Sequence, residues 1–369
     1  GIGTRRMASA ATPRLAARAL PLLATLSLLS PTTAADTPPP RIPVAIVADV
    51  GVDDAAALLM SVGSPRLEIL GLASSFGCHT QPHQTAANAR RLLAAANRSD
   101  LAVHVGARFP LGSAAPLPKD GSWIHGPTGF GDGEELGCDA PPPRVSAAEF
   151  IVSVARARPG EVTLLCFSPL TDVALAILLE PRLPLLLRSL VIMGGAVYTH
   201  GNAQPLAEAN FWHDPAAARL VTRSFTRATA PLVIAPLDVT MRAHLSPATI
   251  KSLAPRGRAA ALFVDAWEKY YSPGYCTVGV CDGTPIHDAF PVAYLLAPHL
   301  FTNTTEVSLQ VVVAPGTPAH GQSFVDQRWS AGRAADAPHA TLLLDVDRDG
   351  FVELLVANIA RIGAPHAAE

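Results

Sequence analysis

Val44-Ala45-Ile46-Val47-Ala48-Asp49-Val50-Gly51-Val52-Asp53-Asp54-Ala55-Ala56-Ala57-Leu58-Leu59 decides the fold. The run 44–48 is short, apolar and rich in β-branched residues, so it reads as a buried strand. From Asp53 through Met60 the pattern reads as a helix. A strand that turns through a glycine straight into a helix is the repeating step of an open α/β sheet, and such sheets bind ligands beyond the carboxyl ends of their strands. Asp49, Asp53 and Asp54 fall at that place and would make a hard-cation site. Aspartates at a helix start also serve as caps and dipole partners. The rest of the chain decides between the two.

Outward from this stretch, strand patterns recur at 67–74, 102–105, 162–167, 189–193, 232–235, 305–313 and 340–346. Helical patterns fall between them, around Asn88 to Leu92, at 147–157, 171–179, 215–222 and 246–272, from His287 to Leu296, and at 351–361. Alternation of this kind predicts an α/β fold: one open, mostly parallel sheet with helices on both faces, over 44–361. Two polar, Gly-rich loops interrupt it, 106–144 and 194–213, and the first is long enough to be a lid. Asp345-Val346-Asp347-Arg348-Asp349-Gly350 imitates half of an EF-hand loop, but its twelfth position is Val356, where a bidentate glutamate is required. It reads as a polar turn.

The 369 residues are 49% hydrophobic and carry a net charge of -2, which argues against a nucleic-acid-binding surface. From Met7 onward, Arg14 and Arg18, an apolar run 19–29 and Thr33-Ala34-Ala35 read as a secretory signal within a leader, 1–35. The run is too short to span a membrane. An organellar transit peptide or an uncleaved anchor is the competing reading. A Pro-rich linker, 36–43, follows, and 362–369 reads as a tail. Sequons at Asn97 and Asn303 fit passage through a secretory pathway, and no membrane association is expected after cleavage. Of five cysteines, Cys276 and Cys281 could bridge across a Gly-containing loop, and Cys166 reads as an inert core thiol. No CxxC pair offers a structural zinc site.

Polar residues cluster at strand ends: Thr171, Asn202, Glu208, Asn210, Asp238 and His287-Asp288. Taken singly, each has a plain reading as a cap, a solvated loop residue or a buried histidine. Together they carry a resemblance. Residues 47–55 match an Asp-x-Asp-Pro-Gly-x-Asp-Asp-Ala signature, and further matches follow in order. They are His125-Gly126-Pro127-Thr128-Gly129, Ser168-Pro169-Leu170-Thr171-Asp172, Met193-Gly194-Gly195 and Gly201-Asn202-Ala203. Ala207-Glu208-Ala209-Asn210 with Asp214-Pro215, Pro236-Leu237-Asp238-Val239-Thr240, and His287-Asp288 with Val292-Ala293-Tyr294 complete the set. Over about 43–360 the chain resembles the inosine-uridine-preferring nucleoside hydrolase family.

The resemblance implies Ca²⁺ held by the carboxylates of Asp49, Asp54 and Asp288 and by the backbone carbonyl of Thr171. Asp49 would also be the base that takes a proton from water. Asp53, Glu208, Asn210 and Asn202 would hold the ribose, with Asp288 reaching it through the ion, and His287 would stand near the leaving base. Breaking an N-glycosidic bond builds positive charge on the ribose and negative charge on the base, which anionic groups and a proton donor respectively relieve. The implied partner is a small-molecule nucleoside, and relatives of this kind are commonly homodimers or homotetramers.

Three positions depart from the family pattern. Val47 replaces the first signature aspartate, Val50 the proline, and Cys78 an asparagine that contacts the sugar. Two readings follow: a secreted, Ca²⁺-dependent ribonucleoside hydrolase, or a catalytically weakened relative that binds a nucleoside or another ribosyl ligand. Tyr270, Tyr271, Trp123, Phe130 and Trp212 are candidates to face the base, and the sequence does not rank them.

Overall fold

In the computed structural model, which describes residues 40–113, 121–132, 144–326 and 337–362, the opening stretch forms an interior strand of the sheet and the helix that follows it. Strand β1 is Ile42–Ala48, followed by β2 (Leu67–Ser74), β3 (Val103–Val105), β4 (Thr163–Cys166), β5 (Ser189–Met193) and β6 (Leu232–Ala235). They lie in the order β3-β2-β1-β4-β5-β6, and the strands Ala340–Asp345 and Asn303–Val307 extend the β6 side to make eight. All neighbours are parallel except the last pair, which is antiparallel. Chain order reverses between β1 and β4, so the crevice beyond their carboxyl ends is the topological switch point where such sheets bind ligands.

Side-chain alternation along β1 divides the core in two. Val44, Ile46 and Ala48 pack with the helix α1 (Val52–Val62) on one face. Ala45 and Val47 pack on the other with α4 (Ala147–Ala157) and α5 (Thr171–Leu179). Val47 is fully buried there. Between these helices in the chain come α2 (Pro82–Ala95) and the short α3 (Ser122–His125), which lies inside the long loop expected over 106–144.

Several boundaries differ from expectation for local reasons. Ile42 and Pro43, assigned to the linker, belong to β1. Pairing to β2 begins at Ile42, whereas pairing to β4 begins only at Val44, so the missing proline N–H falls on the side where no ladder has started. The predicted helix over 246–272 is broken at Pro255 and at Gly257, whose φ of +140° no side-chain-bearing residue adopts readily. It resumes as Arg258–Ala266, loosens into a π-turn over Trp267–Tyr271, and ends in Ser272–Thr277. The strand expected over 305–313 splits into the edge strand and a separate hairpin of Leu309–Val311 with Ser323–Val325. The EF-hand imitation is a helix start: Asp347 Oδ1 accepts the Gly350 N–H at 3.2 Å and caps the final helix, Arg348–Arg361. The leader 1–35, linker residues 36–39 and tail residues 363–369 lie outside the described residues.

Cys276 and Cys281 form a disulfide. Cys166 is fully buried in β4, and burial pushes its thiol up to about 12.

Candidate active site

Asp49 leaves the end of β1, and α1 begins so soon afterwards that Asp53 and Asp54 occupy its first turn. Asp54 reaches back to accept the N–H groups of Gly51 at 2.9 Å and Asp49 at 3.2 Å. It therefore caps its own helix and still faces the other carboxylates, so the structural and chemical readings of this residue coexist. Close packing explains the glycines around it. A Cβ on Gly51 would stand 2.5 Å from Cys78 Sγ and 2.6 Å from His125 Nδ1, and one on Gly77 would meet Asp49 Oδ2 at 2.0 Å. Asp49 Oδ2 accepts the Cys78 N–H at 2.6 Å. Asp288, just ahead of the helix Ala289–Leu296, completes the group. Ligand atoms of Asp53, Asp54 and Asp288 lie within 4.8 Å of one another, as do those of Asp49, Asp54 and Cys78.

All four aspartates are buried. Burial first, and then repulsion from neighbouring carboxylates, raises Asp49 and Asp288 well above the ordinary carboxylate range and Asp53 to about 8; burial alone carries Asp54 to about 6. No ion pair among the described residues brings a lysine or arginine to them, and His125 Nδ1 lies 3.9 Å from Asp53. Crowded, desolvated oxygens without a positive partner fit a hard divalent cation.

Beyond the carboxylates, a cavity of about 570 Å³ opens over the strand ends. Glu208 precedes the short helix Ala209–His213, and its carboxylate accepts the N–H groups of Gly195 (2.8 Å), Asn210 (2.8 Å) and Phe211 (3.2 Å). Asn210 Nδ2 donates to the carbonyls of Phe167 (3.1 Å) and Met193 (3.2 Å), tying the ends of β4 and β5 together. Asn202, more exposed, accepts the Ala209 N–H at 2.9 Å.

Across the cavity, His287 is held at both ring nitrogens, Nε2 to the Tyr275 hydroxyl at 2.5 Å and Nδ1 to Thr240 Oγ1 at 2.7 Å. Burial lowers its pKa to about 3, so it is neutral at physiological pH. Tyr271 lines the same wall, and burial first, then the Asp53 charge, suppresses the ionisation of its hydroxyl. The lid segment sits directly on the carboxylate turn: Val52 N–H donates to His125 Nδ1 at 3.1 Å, and Asn88 Nδ2 donates to the carbonyls of Val50 and Thr128. Exposed apolar side chains, Trp123, Met241 and Val278, rim the far side.

Asp49, Asp53, Asp54, Cys78, Asn202, Glu208, Asn210, His287 and Asp288 thus line one cavity. Thr171 does not. It is the first residue of α5, its hydroxyl donates to Asp214 Oδ2 at 2.6 Å, and its carbonyl is placed to enter the ladder of its own helix. Phe167, at the end of β4, is the residue of that motif region that reaches the cavity. Asp238 is also diverted, accepting the N–H groups of Val197 and Tyr198, and Tyr270 turns away to Asp132. Tyr275 and Thr240 carry no role in the sequence reading; Thr240 closes the motif 236–240, the one signal that could have found it.

Residues 44–353 match the family model for the inosine-uridine preferring nucleoside hydrolases. The pyrimidine-specific ribonucleoside hydrolase RihA of Klebsiella pneumoniae is 36% identical over 327 residues, covering 86% of this chain and 98% of that protein. RihA of Enterobacter sp. (strain 638) is 35% identical over 328 residues, covering 87% and 98%. A purine-preferring ribonucleoside hydrolase from Gardnerella vaginalis superposes with a TM-score of 0.78 at 25% identity, over 87% of this chain and 99% of that one. A plant nucleoside hydrolase, PpNRh1, shares the fold with a TM-score of 0.80 at 24% identity, over 88% and 100%.

Proposed function

The chain belongs to the inosine-uridine preferring nucleoside hydrolase family, and on that premise we propose that it performs the Ca²⁺-dependent hydrolysis of ribonucleosides to free base and ribose. The observation that carries this reading is the pairing, across one cavity, of a buried carboxylate cluster with a hydrogen-bonded His287–Tyr275 pair. Calcium, when bound by Asp49, Asp54 and Asp288, supplies Lewis acidity towards water and a template for ribose hydroxyls. Its carbonyl ligand is better placed at Phe167 than at Thr171, because only the former lines the cavity.

Asp49 takes the proton of the attacking water. Asp53, Glu208 and Asn210 hold the ribose hydroxyls, and Asn202 stands nearer the exposed mouth. Glu208 is fixed by three backbone N–H groups, so it faces the sugar without reorganising. As the glycosidic bond breaks, positive charge on the ribose develops against these anions. On the other side, with Thr240 donating to His287 Nδ1, His287 Nε2–H donates to the Tyr275 oxygen and leaves the Tyr275 hydroxyl proton free for the departing base. His287 acts through Tyr275 in this arrangement.

Free ribose released from inosine, uridine and adenosine, with calcium and after chelation, tests the reading in wild type and Asp49→Ala. Equal release from both forms would sink it. The second reading, a nucleoside-binding relative with little turnover, draws on Val47, which puts an apolar side chain in the core where the family carries a carboxylate. Tight nucleoside binding without ribose release would favour it.

A secretory destination remains our proposal. It is supported by the Cys276–Cys281 disulfide and by the exposure of both sequon asparagines, Asn97 and Asn303. No described helix is long and apolar enough to cross a membrane. Glycosidase treatment of protein from a eukaryotic secretory host checks the sequons, and light scattering checks the homodimer or homotetramer that the family resemblance suggests.

A further inference from the structure

Cys78 stands where the family pattern has an asparagine, and its surroundings are those of a ligand rather than of a core thiol. Sγ lies 3.7 Å from Asp54 Oδ2, and its backbone N–H holds Asp49 Oδ2 at 2.6 Å. The ligand atoms of Asp49, Asp54 and Cys78 all fall within 4.8 Å of one another, and all three residues are buried. Two donors 3.7 Å apart subtend a roughly tetrahedral angle at an ion with zinc-type distances, about 2.3 Å to sulfur and about 2.0–2.2 Å to oxygen. The sulfur is confined to this position. Gly51 lies beneath it with no room for a Cβ, and the main chain of Cys78 would be 3.2 Å from a Cβ on Gly129 of the lid segment. Cys166, the other free cysteine among the described residues, has its sulfur directed to Ser168.

We propose that Cys78 turns this chain's ion site into a mixed carboxylate–thiolate site that binds thiophilic divalent cations, of the zinc and cadmium class, through a metal–sulfur bond. An asparagine offers a neutral, hard amide oxygen at this position; a cysteine offers a soft anionic donor, which selects a different ion. Binding converts the thiol to a thiolate on the metal and releases its proton to solvent. Asp49 and Asp54 serve both donor sets, so such a cation competes with calcium for the same place. The inference rests on the ion-site reading above and brings Cys78 Sγ to the Asp49–Asp54 pair that the site already uses.

The test uses the full chain, stripped of metal with a chelator and titrated separately with cadmium and with calcium. Calorimetry reads binding, and the ultraviolet sulfur-to-cadmium charge-transfer band reads the bond. Wild type should develop the band in step with cadmium binding, and Cys166→Ala and Cys138→Ser should keep it. Cys78→Asn should lose it, with cadmium affinity falling roughly 10–100-fold while calcium affinity holds. Cys78→Ser, close in size, repeats the comparison should the asparagine variant fold poorly. Calcium binding with no sulfur band in wild type overturns this proposal alone, as does a band that survives in both Cys78 variants. Failure of wild type to bind either cation overturns the ion-site reading with it.

Discussion

At its carboxylate end the cavity is fixed by main chain, whereas at its apolar end it is assembled from side chains on loops and short helices. Asp49 sits on a strand end, Asp54 caps its own helix, and Asn210 links the ends of two strands. Trp123 comes from the four-residue helix α3, Met241 from the turn after β6, and Val278 from the loop closed by the disulfide. The first construction holds charge in place before a substrate arrives, which is what stabilising a charged transition state requires. The second presents apolar surface, some of it exposed, that single substitutions can reshape without disturbing the sheet. Rate should therefore depend on one end and base preference on the other.

The largest effect expected from this division is at Asp49. Asp49→Ala should lower kcat by ~10²–10⁴-fold while nucleoside binding persists. A loss of only a few fold in ribose release would erase the contrast between the ends.

Next in size is the response to cation and pH. Asp54 at about 6 and Asp53 at about 8 in the fold compare with about 3.9 in an unfolded chain. Between those values these carboxylates hold more protons in the folded state than in the unfolded one, so they lower the stability of the metal-free protein as pH rises from about 4 through about 8. Below about 6.5 they are opposed by His287, which stays neutral in the fold. Calcium at about 100 times its Kd should restore about 2.7 kcal/mol, most visibly at the upper end of that range. Thermal melts across pH, with and without calcium, measure both; a metal-free Tm that rises over this window contradicts the buried cluster.

Tyr275→Phe removes the hydroxyl that bridges His287 to the cavity. It should cost roughly tenfold in kcat, the scale of one hydrogen bond, with KM little changed. Smallest is Val278→Ala at the rim, which deletes about two methylenes' worth of burial and should raise KM by no more than roughly tenfold, leaving kcat alone. If Val278→Ala instead alters kcat, the rim is not merely a recognition surface, and the two ends are coupled.

How much of this was legible in sequence follows the same division. Asp49, Asp53 and Asp54 are neighbours in the chain, so a strand-to-helix reading is enough to bring them together. The observed β2, β5 and β6 have the bounds expected from their apolar runs, 67–74, 189–193 and 232–235. The motif containing Thr171 could be aligned, but sequence does not say which carbonyl faces the crevice. That depends on where the helix begins, and α5 begins on Thr171 itself. The aromatic wall was less legible still. The π-turn over Trp267–Tyr271 changes the angular spacing of the side chains, sending Tyr271 into the cavity and Tyr270 to Asp132, a phase that regular helical periodicity does not give.

The antiparallel strand Asn303–Val307 ends the sheet with one side unpaired by any described strand, and its first residue is an exposed sequon asparagine. Unpaired strand edges template association between molecules, and natural sheets blunt them with charge or bulk. Glu306 supplies charge here, paired with Arg227. A glycan on Asn303 would add a solvated screen over the same border. Protein made in a host that attaches no sugar would then be the form more prone to self-association during concentration, and this edge is where a solubilising substitution belongs.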